Sequence, residues 1–339
     1  ITYTGDGANP RSITGVGFQP DLLWIKKRNS ADDNVWFDST RGPQKELISN
    51  STAAEATKAG DAIISFDSDG FTTGNNGAIN ANGDTYVAWC WKANGGTTSS
   101  NTDGSITSTV QANTTAGFSV VKYTADGTNN TTIGHGLGAA PEFILIKKLT
   151  ATGDWITHHT SVGTGNFLYL NRTDAQLTQA GIWSNINSTT FNLISGYNDY
   201  NQSGQDYIAY CFASKAQYSK IGSYTGNGST NGPIINTGFE PAWIMFKRSN
   251  NSGEWWLVDN KRGTTQVLQA QSSAADTNTT SVLTFLSNGF QITRADANIN
   301  GNGDTFIYIV FASDPSAAPS LSDSFGILSY TGNSSGSYP

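Results

Sequence analysis

A short pattern, in which an aromatic strand runs into Tyr-Thr and then a small polar turn, recurs along this chain and constrains its fold more than any other feature. It occurs four times, at Tyr3-Thr4, Tyr123-Thr124, Tyr224-Thr225 and Tyr330-Thr331. Successive copies lie about a hundred residues apart, which is the size of a small domain and too long for one rung of a solenoid. The sequence therefore predicts three homologous domains and the start of a fourth, as expected of a window from a longer repetitive protein.

Each complete copy carries the same landmarks in the same order. A proline is followed six residues later by a lysine, at Pro20 and Lys26, Pro141 and Lys147, and Pro241 and Lys247. Each copy then closes on an apolar run, at 86–91, 207–212 and 306–311. So many landmarks do not align three times by chance, and the repeat is therefore real.

The landmarks also set the expected domain boundaries. Repeat 1 covers 1–94, and its first strand is expected to be truncated or supplied from elsewhere. A stretch at 95–115 consists almost entirely of Gly, Ser, Thr and Asn and is predicted to be a linker. Repeat 2 then covers 116–217 and repeat 3 covers 218–313, before a proline-containing linker and the start of a fourth repeat at 314–339. We expect the domains to be strung in series, with the second and third most tightly docked.

The composition favours strands and tight turns over long helices. Only 13% of the residues are charged and 37 are glycine, a residue that tolerates the backbone angles of tight turns. The closing runs carry apolar side chains on both faces, so they are predicted to be central strands covered on both sides. We therefore predict an all-β fold of tandem antiparallel β-sandwich repeats, jelly-roll or lectin-like. Short helical turns are expected at 51–59, 173–180 and 270–276.

The overall charge and hydropathy exclude two kinds of partner. A net charge of −7 argues against a nucleic-acid groove, which requires a dense basic face. No apolar run approaches the roughly 18 to 20 residues needed to span a bilayer. Neither nucleic acid nor a membrane span is therefore expected.

One constellation of aromatic and charged residues is the best candidate for a binding site. In repeats 1 and 3, Asp and Arg stand three residues apart before a glycine and follow a strand that contains tryptophan. Aromatic faces with carboxylate and guanidinium groups suit sugar binding, by stacking and by hydrogen bonding to hydroxyls. The alternative is an ion pair that braces the turn, with tryptophan in the core. The candidate ligand-binding residues are Trp36, Asp38, Arg41, Trp255, Trp256, Asp259 and Arg262.

The third repeat is the stronger of the two candidates. Trp255 and Trp256 are consecutive in a strand, so their side chains point to opposite faces. One ring is therefore expected to face outward unless both faces of that strand are covered. In repeat 2, His158 and His159 replace the Asp–Arg pair, so the chemistry is not preserved across the repeats.

Residues for catalysis or metal binding are sparse. The Asn-Gly-Asp turns at 80–84 and 300–304 superficially resemble calcium loops, but each offers few carboxylates and leads at once into a strand. Three histidines are too few for a repeated metal site, and no Asp or Glu recurs as an acidic pair in all three repeats. Cys90 and Cys211 occupy equivalent closing strands and are predicted to be buried free thiols. We therefore expect no catalytic residues, no metal, no cofactor and no enzymatic activity.

The chain resembles a repeat found in large virion and tail proteins of tailed bacteriophages, especially marine ones, and the resemblance spans essentially the whole sequence. It rests on four stretches: Thr107–Val110 through Ala116–Val121, His135-Gly136-Leu137 with Pro141, Gly303-Asp304-Thr305 with Phe311-Ala312-Ser313, and Val87–Ala93. The resemblance implies a sandwich of lectin-like character and a place on the surface of the virus particle. It does not imply catalytic residues.

On this resemblance we expect a non-enzymatic virion protein, a tail-fibre or spike segment that presents tandem domains for attachment to host-surface glycan. Repeated weak sites in series could supply avidity. The expected partners are further copies of the chain, in a symmetric homo-oligomer such as a trimer, and other virion proteins. A purely structural capsid-decoration or neck component is the alternative, and a glycan depolymerase is a third hypothesis that the lack of a recurrent acidic pair disfavours.

Overall fold

The computed structural model describes residues 1–312 and shows an all-β chain, which confirms the predicted fold class. Each repeat forms a sandwich-like unit in which a large antiparallel sheet faces a small one. The segment expected to hold the second linker and the fourth Tyr-Thr copy, 314–339, lies outside the described residues.

Repeat 1 contains nine strands and one short helix. These are β1 (Thr2–Thr4), β2 (Arg11–Thr14), β3 (Leu22–Lys27), β4 (Asn34–Asp38), β5 (Lys45–Ile48), β6 (Ala56–Thr57), β7 (Ile63–Asp67), β8 (Gly70–Thr73), α1 (Gly77–Asn80) and β9 (Thr85–Trp91). The large sheet has the order β1-β9-β3-β4-β5-β6, and the small sheet has the order β2-β8-β7.

Repeat 2 follows the same plan with two additional strands at its start. Its strands are β10 (Ser99–Asn101), β11 (Ser108–Asn113), β12 (Phe118–Thr124), β13 (Thr131–Gly134), β14 (Phe143–Lys148), β15 (Ile156–His159), β16 (Asn166–Tyr169), β17 (Leu177–Thr178), β18 (Thr190–Leu193) and β19 (Asp206–Phe212). A single 3-10 turn covers Thr160–Val162. The large sheet has the order β10-β11-β12-β19-β14-β15-β16-β17, and β13 pairs with β18.

Repeat 3 matches repeat 1 closely. It consists of β20 (Ser219–Thr225), β21 (Ile234–Asn236), β22 (Pro241–Arg248), β23 (Trp256–Asp259), β24 (Gln266–Gln269), β25 (Thr277–Asn278), β26 (Leu283–Leu286), β27 (Gly289–Ile292), α2 (Ala297–Asn300) and β28 (Thr305–Ala312). Its sheets have the orders β20-β28-β22-β23-β24-β25 and β21-β27-β26.

The closing strands β9, β19 and β28 are each flanked by a strand on both sides, as their apolar sequences predict. One face of each closing strand packs in the core of its own repeat, between the large and the small sheet. In repeat 1, for example, Tyr86 and Ala88 lie in that core. Val87, Trp89 and Trp91 point to the opposite face, which also requires a cover.

That cover comes from the other repeats, and the expectation of domains strung in series is wrong. The outer faces of the three large sheets pack against one another in a single shared core. Aromatic rings join the repeats there: Trp36 lies 5.2 Å from Trp155, and Trp91 lies 5.6 Å from Trp243, between ring centroids. Burying both faces of every large sheet removes much more apolar surface from water than three separate sandwiches would.

Two local expectations are also wrong. The stretch 95–115 is not a free linker, because β10 and β11 extend the large sheet of repeat 2, and Val110 and Gln111 are buried there. The segments 51–59, 173–180 and 270–276 contain no helix; the first two carry the short strands β6 and β17. Their alanines and glutamines lie in extended segments that reach toward a neighbouring repeat, so tertiary contacts decide their conformation rather than helix propensity.

Candidate functional site: interfaces and a cleft between the repeats

The structure places the candidate residues of repeat 1 at its interface with repeat 2. Arg41 Nε donates to Asp38 Oδ2 at 2.5 Å, and Arg41 Nη1 donates to Glu55 at 3.1 Å. The Tyr210 hydroxyl of repeat 2 donates to the same Asp38 oxygen at 2.7 Å. Both charged side chains are buried, so the pair is a structural link between two repeats. Burial lowers the pKa of Arg41, but the nearby Asp38 carboxylate and the Tyr210 hydroxyl outweigh this and hold it above its ordinary value.

The residues of repeat 3 form the corresponding link with repeat 1. Arg262 Nε donates to Asp259 Oδ2 at 2.7 Å, and Arg262 Nη1 donates to Asp276 Oδ1 at 2.5 Å. The indole nitrogen of Trp89 in repeat 1 donates to Asp259 Oδ2 at 3.0 Å. Burial raises the pKa of Asp259, but the Arg262 guanidinium and the hydrogen bonds outweigh this and hold it below its ordinary value.

The expectation that one tryptophan of repeat 3 faces outward is wrong. Trp255 and Trp256 do point to opposite faces, but both faces are covered, and the two residues are 1% and 8% exposed. Trp255 packs in the shared core and Trp256 in the core of repeat 3, and Trp36 is buried as well. The seven candidate residues therefore do not form one site, and none presents an aromatic face on which a sugar could stack.

Three equivalent lysines make a second set of links between the repeats. Lys26 donates to the carbonyl oxygen of Ser273 at 3.0 Å, Lys147 to that of Thr52 at 2.9 Å, and Lys247 to that of Thr173 at 3.0 Å. Each lysine of one repeat thus reaches the extended segment of another, in the cyclic order 1 to 3, 2 to 1 and 3 to 2. Burial lowers the pKa of all three ammonium groups to about 8, although nearby carboxylates partly oppose this.

The lysines are functional parts of the fold that sequence reasoning missed. The sequence does mark these lysines, because each one follows the repeated proline by six residues. A residue type that is rarely buried, recurring at one position in three apolar strands, indicates a paired interior charge. The sequence does not show what each lysine pairs with. The packing of the three repeats shows that it is a backbone carbonyl oxygen of a neighbouring repeat.

Of the two adjacent histidines of repeat 2, His159 lies at the interface with repeat 3, whereas the His158 ring packs inside repeat 2, 5.4 Å from that of Trp183 between centroids. His159 Nε2 donates to the carbonyl oxygen of Tyr308 at 3.1 Å, and its Nδ1 accepts from the backbone N–H of Ser161 at 3.1 Å. Both bonds suit a neutral ring. Burial lowers the pKa of His159 to about 4, and burial together with His159 lowers that of His158 to about 3.

Acid should therefore destabilise the folded chain through these histidines. As the pH falls from about 7 to 4, the unfolded chain takes up the protons first, because an unfolded histidine titrates near 6.5. The stability is complete above that value and is lost progressively toward the folded pKa, by an expected loss on the order of 3 kcal/mol for His159 alone. Urea unfolding at a series of pH values measures it.

The matched control is the double variant His158→Phe with His159→Asn. The choice follows the other repeats, because Phe37 occupies the position of His158 in repeat 1, and aspartates occupy the position of His159 in repeats 1 and 3. The variant should lose less stability on acidification than the parent chain. Parallel losses in the two proteins would show that other groups control the acid response.

A cleft of about 560 Å³ opens between repeats 1 and 3. Its mouth carries Asn260 and Lys261, which are exposed. Aromatic residues from both repeats form much of its wall: Trp89, Trp91, Tyr218, Trp243 and Phe311. The cleft can thus accept an apolar group but offers few polar partners.

The two cysteines lie in equivalent closing strands but have different surroundings. Both are free, as predicted, but only Cys211 is buried as expected, whereas Cys90 is partly exposed. In repeat 2, β12 pairs along the whole of β19, and Ser119 lies opposite Cys211. In repeat 1, β1 pairs with Thr85–Val87, Ile1 exchanges backbone hydrogen bonds with Ala88, and Cys90 lies on the wall of the cleft and is half-buried.

The Asn-Gly-Asp turns have the predicted structural role. Asp84 pairs with Lys27 at 3.2 Å, and Asp304 pairs with Arg248 at 3.1 Å, in turns that lead into the closing strands. Among residues 1–312, no group of three or more His, Cys, Asp or Glu side chains is placed to hold a metal ion. The helices in this part of the chain are all too short to cross a bilayer.

Comparison with known proteins places the chain in a family without assigning an activity. No curated protein and no solved structure matches it significantly. One family, described as "Domain of unknown function (DUF7483)", matches residues 1–315. The match spans all three repeats of the shared-core assembly, and the chain therefore belongs to this family.

Proposed function

We propose that the chain is a non-enzymatic structural protein of a tailed-bacteriophage particle, serving as a segment of a tail fibre or similar appendage. The observation that carries the proposal is the shared core, which joins three sandwiches into one unit. Because the three sandwiches are packed together, the unit is suited to a rigid structural segment. The sequence resemblance to virion and tail repeats supplies the setting.

Of the two virion roles open from the sequence, the structural role is better supported than glycan attachment. Attachment through the candidate residues would need aromatic faces and charged groups in solvent. Here the tryptophans are buried, and the Asp–Arg pairs satisfy each other and a neighbouring repeat. A buried, mutually satisfied pair contributes to a defined interface rather than to a ligand site.

Two measurements on purified particles whose genome encodes the chain test the proposal. Mass spectrometry and gold-labelled antibodies raised against the chain should find it on the tail or an appendage of intact particles. The purified chain, added in excess, should leave adsorption of the particles to host cells unchanged. Absence from the particles would overturn the proposal, and competition at low concentration would favour attachment instead.

A further inference from the structure

The three interfaces between the repeats share one plan, but the interface between repeats 2 and 3 is built from different side chains. At the other two, a buried aspartate contacts the closing strand of the neighbouring repeat and is held by an arginine three residues later. In repeat 2 these two positions are occupied by His159 and Val162. The carboxylate that gives each arginine a second acceptor is replaced by Gln176. This interface therefore depends on a neutral ring where the others use an ion pair.

The His159 ring is held in its neutral form by a bond at each nitrogen. Nε2 donates to the carbonyl oxygen of Tyr308 in repeat 3, and Nδ1 accepts from the backbone N–H of Ser161. The ring lies 5.9 Å from that of Phe143 between centroids, and the residue is 1% exposed. A second proton would have to sit on Nδ1, where it meets the N–H of Ser161. Protonation therefore breaks one bond and leaves a charge buried at the interface.

The surrounding elements offer no free carboxylate to neutralise that charge. The strand β28 and the 3-10 turn at Thr160–Val162 contain no charged residue, and protonation of the adjacent His158 would only add repulsion. The charged side chains on or next to β14 and β20 are engaged elsewhere: Glu142 accepts from Ser214, Lys147 donates to the carbonyl oxygens of Thr52 and Gly153, Lys148 donates to Gln202, and Lys220 donates to the carbonyl oxygen of Asn236.

The ion pair at the interface between repeats 3 and 1 withstands the acid that protonates His159. Burial lowers the pKa of His159 to about 4, so its contribution to stability is complete above about 6.5 and is lost as the pH falls toward 4. Burial raises the pKa of Asp259, but Arg262 holds it below its ordinary value. The contribution of Asp259 is therefore complete above about 3.9 and is lost only at lower pH. Between about pH 6 and 4, acid weakens the contact made by His159 first.

We propose that mild acid opens the interface between repeats 2 and 3 while the other two interfaces stay closed, with His159 as the switch. In the open form the ring reaches water and takes up its proton at the ordinary value for histidine, near 6.5. The difference between the open and closed forms makes the open form about a hundredfold more populated at pH 4 than at pH 7. The short connection at 213–218 keeps the two repeats joined, so the interface closes again when the pH is raised.

The reactivity of a thiol buried at this interface measures the opening. Val162 lies in the shared core, on the 3-10 turn that contacts β20 of repeat 3, and Val162→Cys changes its size little. Dithiodipyridine reacts with thiols in acid, and peptide mapping separates its product at position 162 from those at Cys90 and Cys211. Relative to a short peptide at each pH, the thiol at position 162 should react about a hundredfold faster at pH 4 than at pH 7.

The matched control is Ser49→Cys, at the interface between repeats 1 and 3. Ser49 is fully buried, and its hydroxyl donates to the carbonyl oxygen of Ala270 in repeat 3. The same change of pH should alter the reactivity of a thiol there by less than about fivefold, because that interface stays closed. An equal rise at positions 49 and 162 would show that acid unfolds the whole chain, and no rise at position 162 would show that the interface stays shut. Either result would overturn the proposal.

A third variant assigns the response to the histidine. His159→Asn, combined with Val162→Cys, removes the group that titrates, so the reactivity of the thiol should no longer rise between pH 7 and 4. A rise that survives this substitution would show that another group opens the interface, and His159 would then not be the switch.

Discussion

Replacing Arg262 by Met should destabilise the folded chain by about 3 to 5 kcal/mol, the usual cost of removing one partner from a buried ion pair. The Arg262 side chain is fully buried and serves three acceptors: Asp259, Asp276 and the carbonyl oxygen of Leu257. Methionine fills a similar volume but donates no hydrogen bond. Asp259 would then remain buried with a charge that only the indole of Trp89 and backbone N–H groups oppose.

The double variant Asp259→Asn with Arg262→Met is the control. It removes both charges, and the asparagine oxygen can still accept from the Trp89 indole and from the backbone N–H of residue 262. Since replacing a whole buried pair costs less than breaking it, the double variant should be more stable than Arg262→Met alone. Denaturant unfolding measures both. A single variant within about 1 kcal/mol of the parent chain would mean that water reaches the pair and screens it.

The repeat architecture could be read from the sequence because it depends on periodicity along the chain. Strands β9, β19 and β28 carry apolar residues at consecutive positions, which only a strand covered on both faces requires. The same pattern holds for the strand after each proline, which pairs with the closing strand in every repeat. Local patterns of this kind sufficed for the fold class and for the central position of the closing strands.

The sequence could not show what covers the second face of each large sheet. That face can be covered by a second layer of the same repeat or by a sheet of another repeat. Both kinds of cover require the same apolar pattern in the strand. The interpretation of Trp255 and Trp256 depended on that choice, because a strand in an isolated sandwich would turn one ring to solvent. The glycine- and serine-rich stretch at 95–115 was misread for a related reason, since β11 is held by Gln111, whose amide donates to Ser39 and Thr40 of repeat 1.

Replacing Trp155 by Ala should destabilise the whole chain by about 3 to 5 kcal/mol, the usual loss when a large aromatic core residue is removed. The ring is fully buried in the shared core, 5.2 Å from that of Trp36. Its indole nitrogen donates to the carbonyl oxygen of Ile48 in repeat 1 at 2.8 Å. Alanine therefore leaves a cavity between two repeats and an unpaired carbonyl at its edge.

The manner of unfolding separates a shared core from three independent ones. Scanning calorimetry of the parent chain should give one transition whose calorimetric and van't Hoff enthalpies agree, and Trp155→Ala should move that entire transition to lower temperature. Trp155→Phe, which keeps an aromatic ring but loses the bond to Ile48, should cost less. If the repeats were independent, the Ala variant would instead shift one transition of several. Repeats 1 and 3 would then melt unchanged, and the aromatic contacts between the sheets would contribute little to holding the three sandwiches together.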